Sequence, residues 1–135
     1  MIVKTLNLIL LVCSFSLILS CNTKNDDHEM SCTSSGIAYV TSVDAPTQVE
    51  INETINIAVE FQLLNGCGQF GKFIETQDGA TRIIEVEATY EGCICTQDLP
   101  IRTTNYEFKV NSAGNYKLNF RSSETEFIVV TLSVN

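Results

Sequence analysis

The chain has 135 residues, 44% of them hydrophobic and 8% aromatic, with six cysteines, one histidine and no tryptophan. That length supports one domain with at most a short appendage. Sixteen Asp and Glu against eight Lys and Arg give a net charge of −8, which argues against sequence-independent nucleic-acid binding, since that relies on clustered Lys and Arg. From the N-terminus, Met1-Ile-Val-Lys4-Thr-Leu-Asn precedes an apolar run from Leu8 to Leu19 broken only by Ser14 and Ser16. One positive charge, an apolar stretch and then small Ser20 follow the three-part pattern of a secretory signal over residues 1–20. The run is shorter than the roughly 20 residues needed to span a bilayer.

Ile18-Leu19-Ser20-Cys21 resembles the lipobox of bacterial lipoproteins. That resemblance implies cleavage before Cys21, acylation of its thiol and acylation of the new amino group. Leu19 departs from the small residue usual in the motif, whereas Ser20 and Cys21 match it. Acyl chains on Cys21 would hold the protein on a membrane surface without a spanning segment. The alternative is an ordinary secreted protein in which Cys21 happens to lie near the cleavage point.

Residues 21–35 read as the lipidated cysteine and a polar tether. Asn22-Thr-Lys24-Asn-Asp26-Asp27-His28-Glu29 carries too much charge to bury surface. It is similar to the Lys-then-acidic export signals that route some Gram-negative lipoproteins to the outer face of the outer membrane. Asp26, Asp27, His28 and Glu29 raise the question of a metal site, but consecutive residues on a tether rarely converge on one ion.

From Gly36 to the C-terminus the apolar period is two. Ile55, Ile57, Val59, Phe61 and Leu63 alternate with polar or small residues, as do Ile84, Val86, Ala88 and Tyr90. Tyr116, Leu118 and Phe120 repeat the pattern, and Ile128, Val130, Leu132 and Val134 form the face of a last strand. Weaker strands fit Ile37–Val43, Phe70–Glu75 and Tyr106–Val110. Turn residues separate them: Asp44-Ala-Pro46, Asn65-Gly66, Asp78-Gly79, Leu99-Pro100, Ala113-Gly114-Asn115 and Ser122-Ser123. Seven short strands with no helical stripe predict a seven-stranded antiparallel β-sandwich over residues 36–135.

Gly114-Asn-Tyr116-Lys-Leu118 resembles the start of strand F in immunoglobulin-like and fibronectin-like sandwiches. The resemblance implies that the Tyr116 hydroxyl bonds back to the backbone upstream. The tryptophan and the inter-sheet cysteine pair of antibody domains are missing. Asn65-Gly-Cys67-Gly-Gln-Phe70 and Tyr90-Glu-Gly-Cys93-Ile-Cys95 are similar to motifs of small bacterial lipoproteins with one sandwich domain, a resemblance that implies a fold and an address but no activity.

With Cys13 in the signal and Cys21 acylated, Cys32, Cys67, Cys93 and Cys95 remain, an even number in an exported chain. Cys93 and Cys95 lie two apart, so an extended strand points both to one face. The spacing favours one bridge from Cys67 into that pair, with Cys32 taking the other member. Two other readings compete. Zinc sites usually draw on paired C-x₂₋₄-C knuckles, and only one close pair exists here. A redox dithiol usually sits at a helix N-terminus, and no helix is predicted near Cys93 and Cys95.

Gly66-Cys-Gly68-Gln-Phe-Gly71 spells G-x-G-x-x-G, but Lys72-Phe-Ile-Glu75 after it reads as a strand instead of the helix a dinucleotide site needs. Glu85, Glu87 and Glu91 share an outward strand face, where edge-protecting charge is the expected meaning. His28 has no triad partner. Asn52-Glu-Thr54 would be a glycosylation sequon only in a eukaryotic secretory pathway.

The sequence therefore predicts a non-enzymatic, lipid-anchored envelope protein on the outer membrane, with surface display as one option. Its expected role is a binding module acting on a protein or glycan through loops or sheet edges. No catalytic residue, metal, cofactor (the covalent lipid apart) or nucleic acid is expected. The alternative is a periplasmic thiol-active or regulatory accessory protein using Cys93 and Cys95, and a third option is an inhibitor or assembly accessory of an envelope enzyme.

Overall fold

A computed structural model describes residues 32–135. The signal segment, the Cys21 lipidation site and the charged run from Asp26 through His28 to Glu29 lie outside the described residues. Nine strands follow one another: β1 (Thr33–Ala38), β2 (Val40–Asp44), β3 (Gln48–Val49), β4 (Thr54–Gln62), β5 (Gly68–Asp78), β6 (Thr81–Glu91), β7 (Ile101–Lys109), β8 (Gly114–Arg121) and β9 (Phe127–Val134). No helix occurs among the described residues. Six strands form one sheet in the order β1-β6-β8-β9-β3, with β5 on the other edge of β6. The second sheet is β2-β4-β7.

The count is nine where the period-two pattern predicted seven. The expected strand Ile37–Val43 divides at Tyr39. Its first part, β1, pairs with β6 in the large sheet, and its second part, β2, pairs with β4 in the small one. A chain that changes sheets must break its ladder, although its side-chain alternation runs on with little interruption: Ala38 and Val40 are both buried. The other addition, β3, is only two residues long. β1 also begins at Thr33, ahead of the Gly36 boundary expected for the domain.

Two pairings are parallel where an antiparallel sandwich was expected. These are β3 with β9 and β6 with β8. The β6/β8 pair follows from connectivity: the chain leaves β6, crosses to the small sheet as β7, and returns to the large sheet as β8. Such a crossover is what parallel neighbours require. β8 pairs with residues 81–84 of β6 and β1 with residues 86–91, so the two share one edge of β6 end to end.

The core lies between the inner faces of the two sheets. Ile57, Val59, Phe61 and Leu63 from β4 and its end meet Ile84, Val86 and Ala88 of β6, Leu118 and Phe120 of β8, and Leu132 of β9. All ten are fully shielded from solvent, and no polar or charged residue is buried among them. Alternation places these residues inward because successive strand side chains point to opposite faces. Large aromatic side chains add edge contacts: Tyr106 packs against both Phe73 and Phe120, with centroids 5.2 and 5.7 Å apart.

Long strands β4 to β7 run the length of the sandwich and define its two ends. At about 3.3 Å per residue, these strands of nine to eleven residues separate the ends by roughly 30 Å. One end carries the β4–β5 and β6–β7 connections. The other carries the β5–β6 turn, the β7–β8 connection and the Asn52 turn before β4.

Candidate functional site

At the first end, all four described cysteines converge. Cys32 bonds Cys93 and Cys67 bonds Cys95, with Cα atoms 5.0 and 5.4 Å apart. The expected pattern holds, with Cys67 taking Cys95 and Cys32 taking Cys93. Cys93 and Cys95 are each joined to a different segment, so the pair is a double staple between β1, the β4–β5 loop and the β6–β7 loop. Backbone bonds reinforce it: Gly66 N–H donates to Thr96 O (3.1 Å), Leu63 N–H to Pro100 O (2.9 Å) and Gly92 N–H to Cys32 O (2.9 Å). The side chain of Asn65 accepts from Cys67 N–H at 3.0 Å, closing an Asx turn.

Two glycines here answer to geometry. A Cβ on Gly66 would lie 1.9 Å from Thr96 Oγ1, and Gly92 has φ of 136° with Cys67 Sγ 3.0 Å from where its Cβ would be. Glycine is the residue that tolerates both demands. The glycines thus make room for neighbouring side chains, Thr96 and Asp98 at Gly66 and the Cys67–Cys95 bridge at Gly92. The apolar side chains point out instead. Ile94, held between two bridged cysteines, is 95% exposed, and Leu64 (68%), Leu99 (57%) and Ile101 (52%) accompany it.

At the opposite end, an open groove of about 600 Å³ is lined by Gln77, Arg82, Lys109, Asn111, Ser112 and Tyr116, together with the Asn52 turn and the β5–β6 turn. Among the described residues no carboxylate lines it, in a chain where acidic residues outnumber basic ones two to one. Asn52, with φ of 64°, forms the tight turn and donates its N–H to Val110 O at 2.9 Å, tying that turn to the end of β7. The expected tyrosine bond is present: the Tyr116 hydroxyl donates to Ser112 O at 3.0 Å and lies 2.8 Å from Ser112 Oγ. This closes the β7–β8 connection.

The groove also contains a group that the sequence reading did not single out. Arg82 has the same parity as Ile84 and Val86, so its side chain enters the end of the sandwich. Its guanidinium lies over the Phe108 ring, 4.9 Å from the centroid. Nη1 donates to the Tyr106 hydroxyl at 3.2 Å and pairs with Glu75 Oε1 at 3.3 Å. The Tyr106 hydroxyl in turn donates to Glu75. Burial, followed by that hydrogen bond to Glu75, pushes the Tyr106 phenol up to about 12. Tyr106 is thus a neutral donor across the physiological range. Arg82 Nε is buried without a hydrogen-bond partner among the described residues. The parity of Arg82 with Ile84, and of Glu75 with Phe73, was the available signal.

Other candidates fall elsewhere. Glu85 and Glu87 face outward on β6 as expected, but β6 is flanked on both sides and has no edge to protect. Their charge is matched across the sheet, Glu85 to Arg121 and Glu87 to Lys72. Glu91 is exposed beside the stapled end. The edge strands are β5, β1 and β3 in the large sheet and β2 and β7 in the small one, each hydrogen-bonded to one neighbour only. Gly66 and Cys67 form the turn before β5, and Gly68 to Gly71 already belong to that strand, which continues through Lys72–Glu75 as expected. Among the described residues no group of three or more His, Cys, Asp or Glu is placed to hold a metal ion.

A family model described as the ORF11 beta-sandwich domain matches residues 57–130, which run from β4 to within β9. No curated protein and no solved structure matches the chain.

Proposed function

For a chain that belongs to the ORF11 beta-sandwich domain family, we propose the role of a non-enzymatic binding module, anchored by lipid on Cys21 to the outer membrane of a bacterial cell. The lipobox-like Ile18-Leu19-Ser20-Cys21 and the apolar segment before it support the anchor. Lys24 followed by Asp26 and Asp27 favours display on the outer face. The Tyr116 hydroxyl bond to Ser112 favours an immunoglobulin-like relationship, against which the parallel β6/β8 pair stands as a departure.

The partner-facing surface in this reading is the groove around Arg82. One observation carries it: in an acidic chain, the described residues lining this groove are Lys109, amide side chains and an Arg82 already paired with Glu75, with no carboxylate among them. Such a surface suits a polar partner with anionic groups on protein or glycan, since cations and amides supply donors that fix orientation. The test is a photo-crosslinking residue at Asn111, on the groove, and another at Thr131, on the outer face of β9, each in intact cells. Adducts at Asn111 that are absent at Thr131 and lost in Lys109→Glu support the groove. Equal capture at both positions, or capture insensitive to Lys109→Glu, overturns it. The anchor is tested separately: Cys21→Ala should abolish fatty-acid labelling and membrane fractionation.

A further inference from the structure

We infer that the stapled end of the sandwich is a second membrane contact, in which Ile94, with Leu99, Leu64 and Ile101 around it, inserts shallowly into a zwitterionic lipid surface. The inference rests on the proposed lipid at Cys21. Soluble surfaces carry scattered apolar residues, but Ile94 and Leu99 in the β6–β7 loop, Leu64 in the β4–β5 loop and Ile101 at the start of β7 gather four large ones at one end of the sandwich. The two disulfides and the backbone bonds between the loops keep these side chains from folding back onto the core.

The choice of lipid over other partners follows from where the chain leaves the domain. The described chain begins at Cys32, and Cys32 is bonded to Cys93, the residue before Ile94. Residues 22–31 alone separate it from Cys21. A fully extended segment of that length spans at most about 40 Å. A lipid on Cys21 therefore holds the stapled end toward the bilayer and raises the local concentration of lipid around Ile94. The opposite end, with the groove, stands roughly 30 Å farther out along the strands. Charge selects the lipid class. Among the described residues Glu91 and Asp98 stand close in the chain to the patch with Arg102 as the counter-charge, all three exposed, so an anionic surface would be disfavoured and a zwitterionic one accepted.

The experiment uses the full lipidated chain in nanodiscs of phosphatidylcholine, with isoleucine methyl groups labelled and a nitroxide carried on a fraction of the lipid. Ile94 and Ile101 lie at the stapled end, and Ile51, 41% exposed, lies in the turn before Asn52 at the other. The Ile94 and Ile101 methyl signals should lose most of their intensity while that of Ile51 keeps nearly all of it. Ile94→Ser with Leu99→Ser should restore the Ile101 signal severalfold without releasing the protein from the disc. Co-elution with the discs and an undiminished Ile94 signal overturns the contact and leaves the anchor standing. Failure to co-elute overturns the anchor, and the contact with it. Ile94 broadening that grows with protein concentration in the absence of lipid identifies a second copy as the occupant, and protein adducts from a photo-crosslinker at Ile94 identify a protein. Either of these overturns the lipid assignment.

Discussion

At one end of strands β4 to β7, two disulfides and a set of backbone hydrogen bonds fix loops that present Ile94 and Leu99 to the outside. At the other, the Tyr116 hydroxyl, the Asn52 turn and the Arg82–Tyr106–Glu75 network fix loops that present amides and cations. The same core supports both ends, and the difference lies in how each loop keeps its shape. An apolar side chain on a flexible loop gains by collapsing onto the nearest apolar surface. Covalent staples hold it out against that tendency. Polar loops have no such tendency, and non-covalent bonds suffice to order them.

The largest expected effect comes from removing the staples. The double substitution Cys67→Ala and Cys95→Ala opens a closure between residues 28 apart, and Cys32→Ala with Cys93→Ala one of 61. Chain-entropy reasoning gives roughly 3–4 kcal/mol of lost stability for each, measurable by urea unfolding. Amide exchange should quicken in the β4–β5 and β6–β7 loops and stay slow around Ser112 and Tyr116. Equal loosening at both ends would show that the ends are not independently fixed.

Arg82→Ala asks the same question of the groove end. It removes the cation over Phe108 and leaves Glu75 and Tyr106 facing each other without it. Loss of a half-buried pairing of this kind should cost about 2 kcal/mol, read as a fall in Tm, with the stapled loops unchanged in amide exchange. Tyr106 adds a pH signature. Its phenol is raised from 10.0 to about 12, so the folded state favours the neutral form. The resulting stabilisation is present in full below pH 10 and is lost as pH rises toward 12. Ultraviolet titration should show a tyrosine ionising well above the ordinary phenol value, and Tyr106→Phe should remove that late component.

The contrast between the ends was only half legible in the sequence. Period two located most strands because each has one buried face, although β5 is buried only at Gly68, and Ile57 to Leu63 read as clearly in the chain as in the fold. The bridges were legible because Cys93 and Cys95 are too close to bond without contortion, leaving Cys67 and Cys32 as partners. Arg82 was missed for a physical reason: charge suggests solvent, whereas its parity with Ile84 places it inside, where stacking on Phe108 and pairing with Glu75 offset desolvation. The split at Tyr39 and the parallel β6/β8 pair left no local mark, since both depend on which sheet a strand joins.

A smaller effect is expected from Tyr116→Phe. It deletes the hydroxyl that donates to Ser112 O and leaves the ring against Phe108, 5.7 Å between centroids. One hydrogen bond in a partly exposed setting is worth about 1 kcal/mol. The loss should appear as faster amide exchange in residues 110–114, and a uniform loss across the domain would mean that the bond supports the core instead of the groove rim.

The smallest change in stability is expected where exposure of an apolar residue is greatest. Ile94→Ser alters a side chain that is 95% exposed in the folded protein. Nothing is gained by burying it on folding, so folding stability should move by no more than about 0.5 kcal/mol in lipid-free solution. The serine should also raise solubility, because a large apolar group leaves the surface. A loss of 2 kcal/mol or more would mean that Ile94 packs against its own domain, and that the staples serve the core in place of a display surface. A null result in stability, combined with reduced lipid contact, separates the two roles of the stapled end: its disulfides hold the fold, and the isoleucine between them faces outward to what the fold touches.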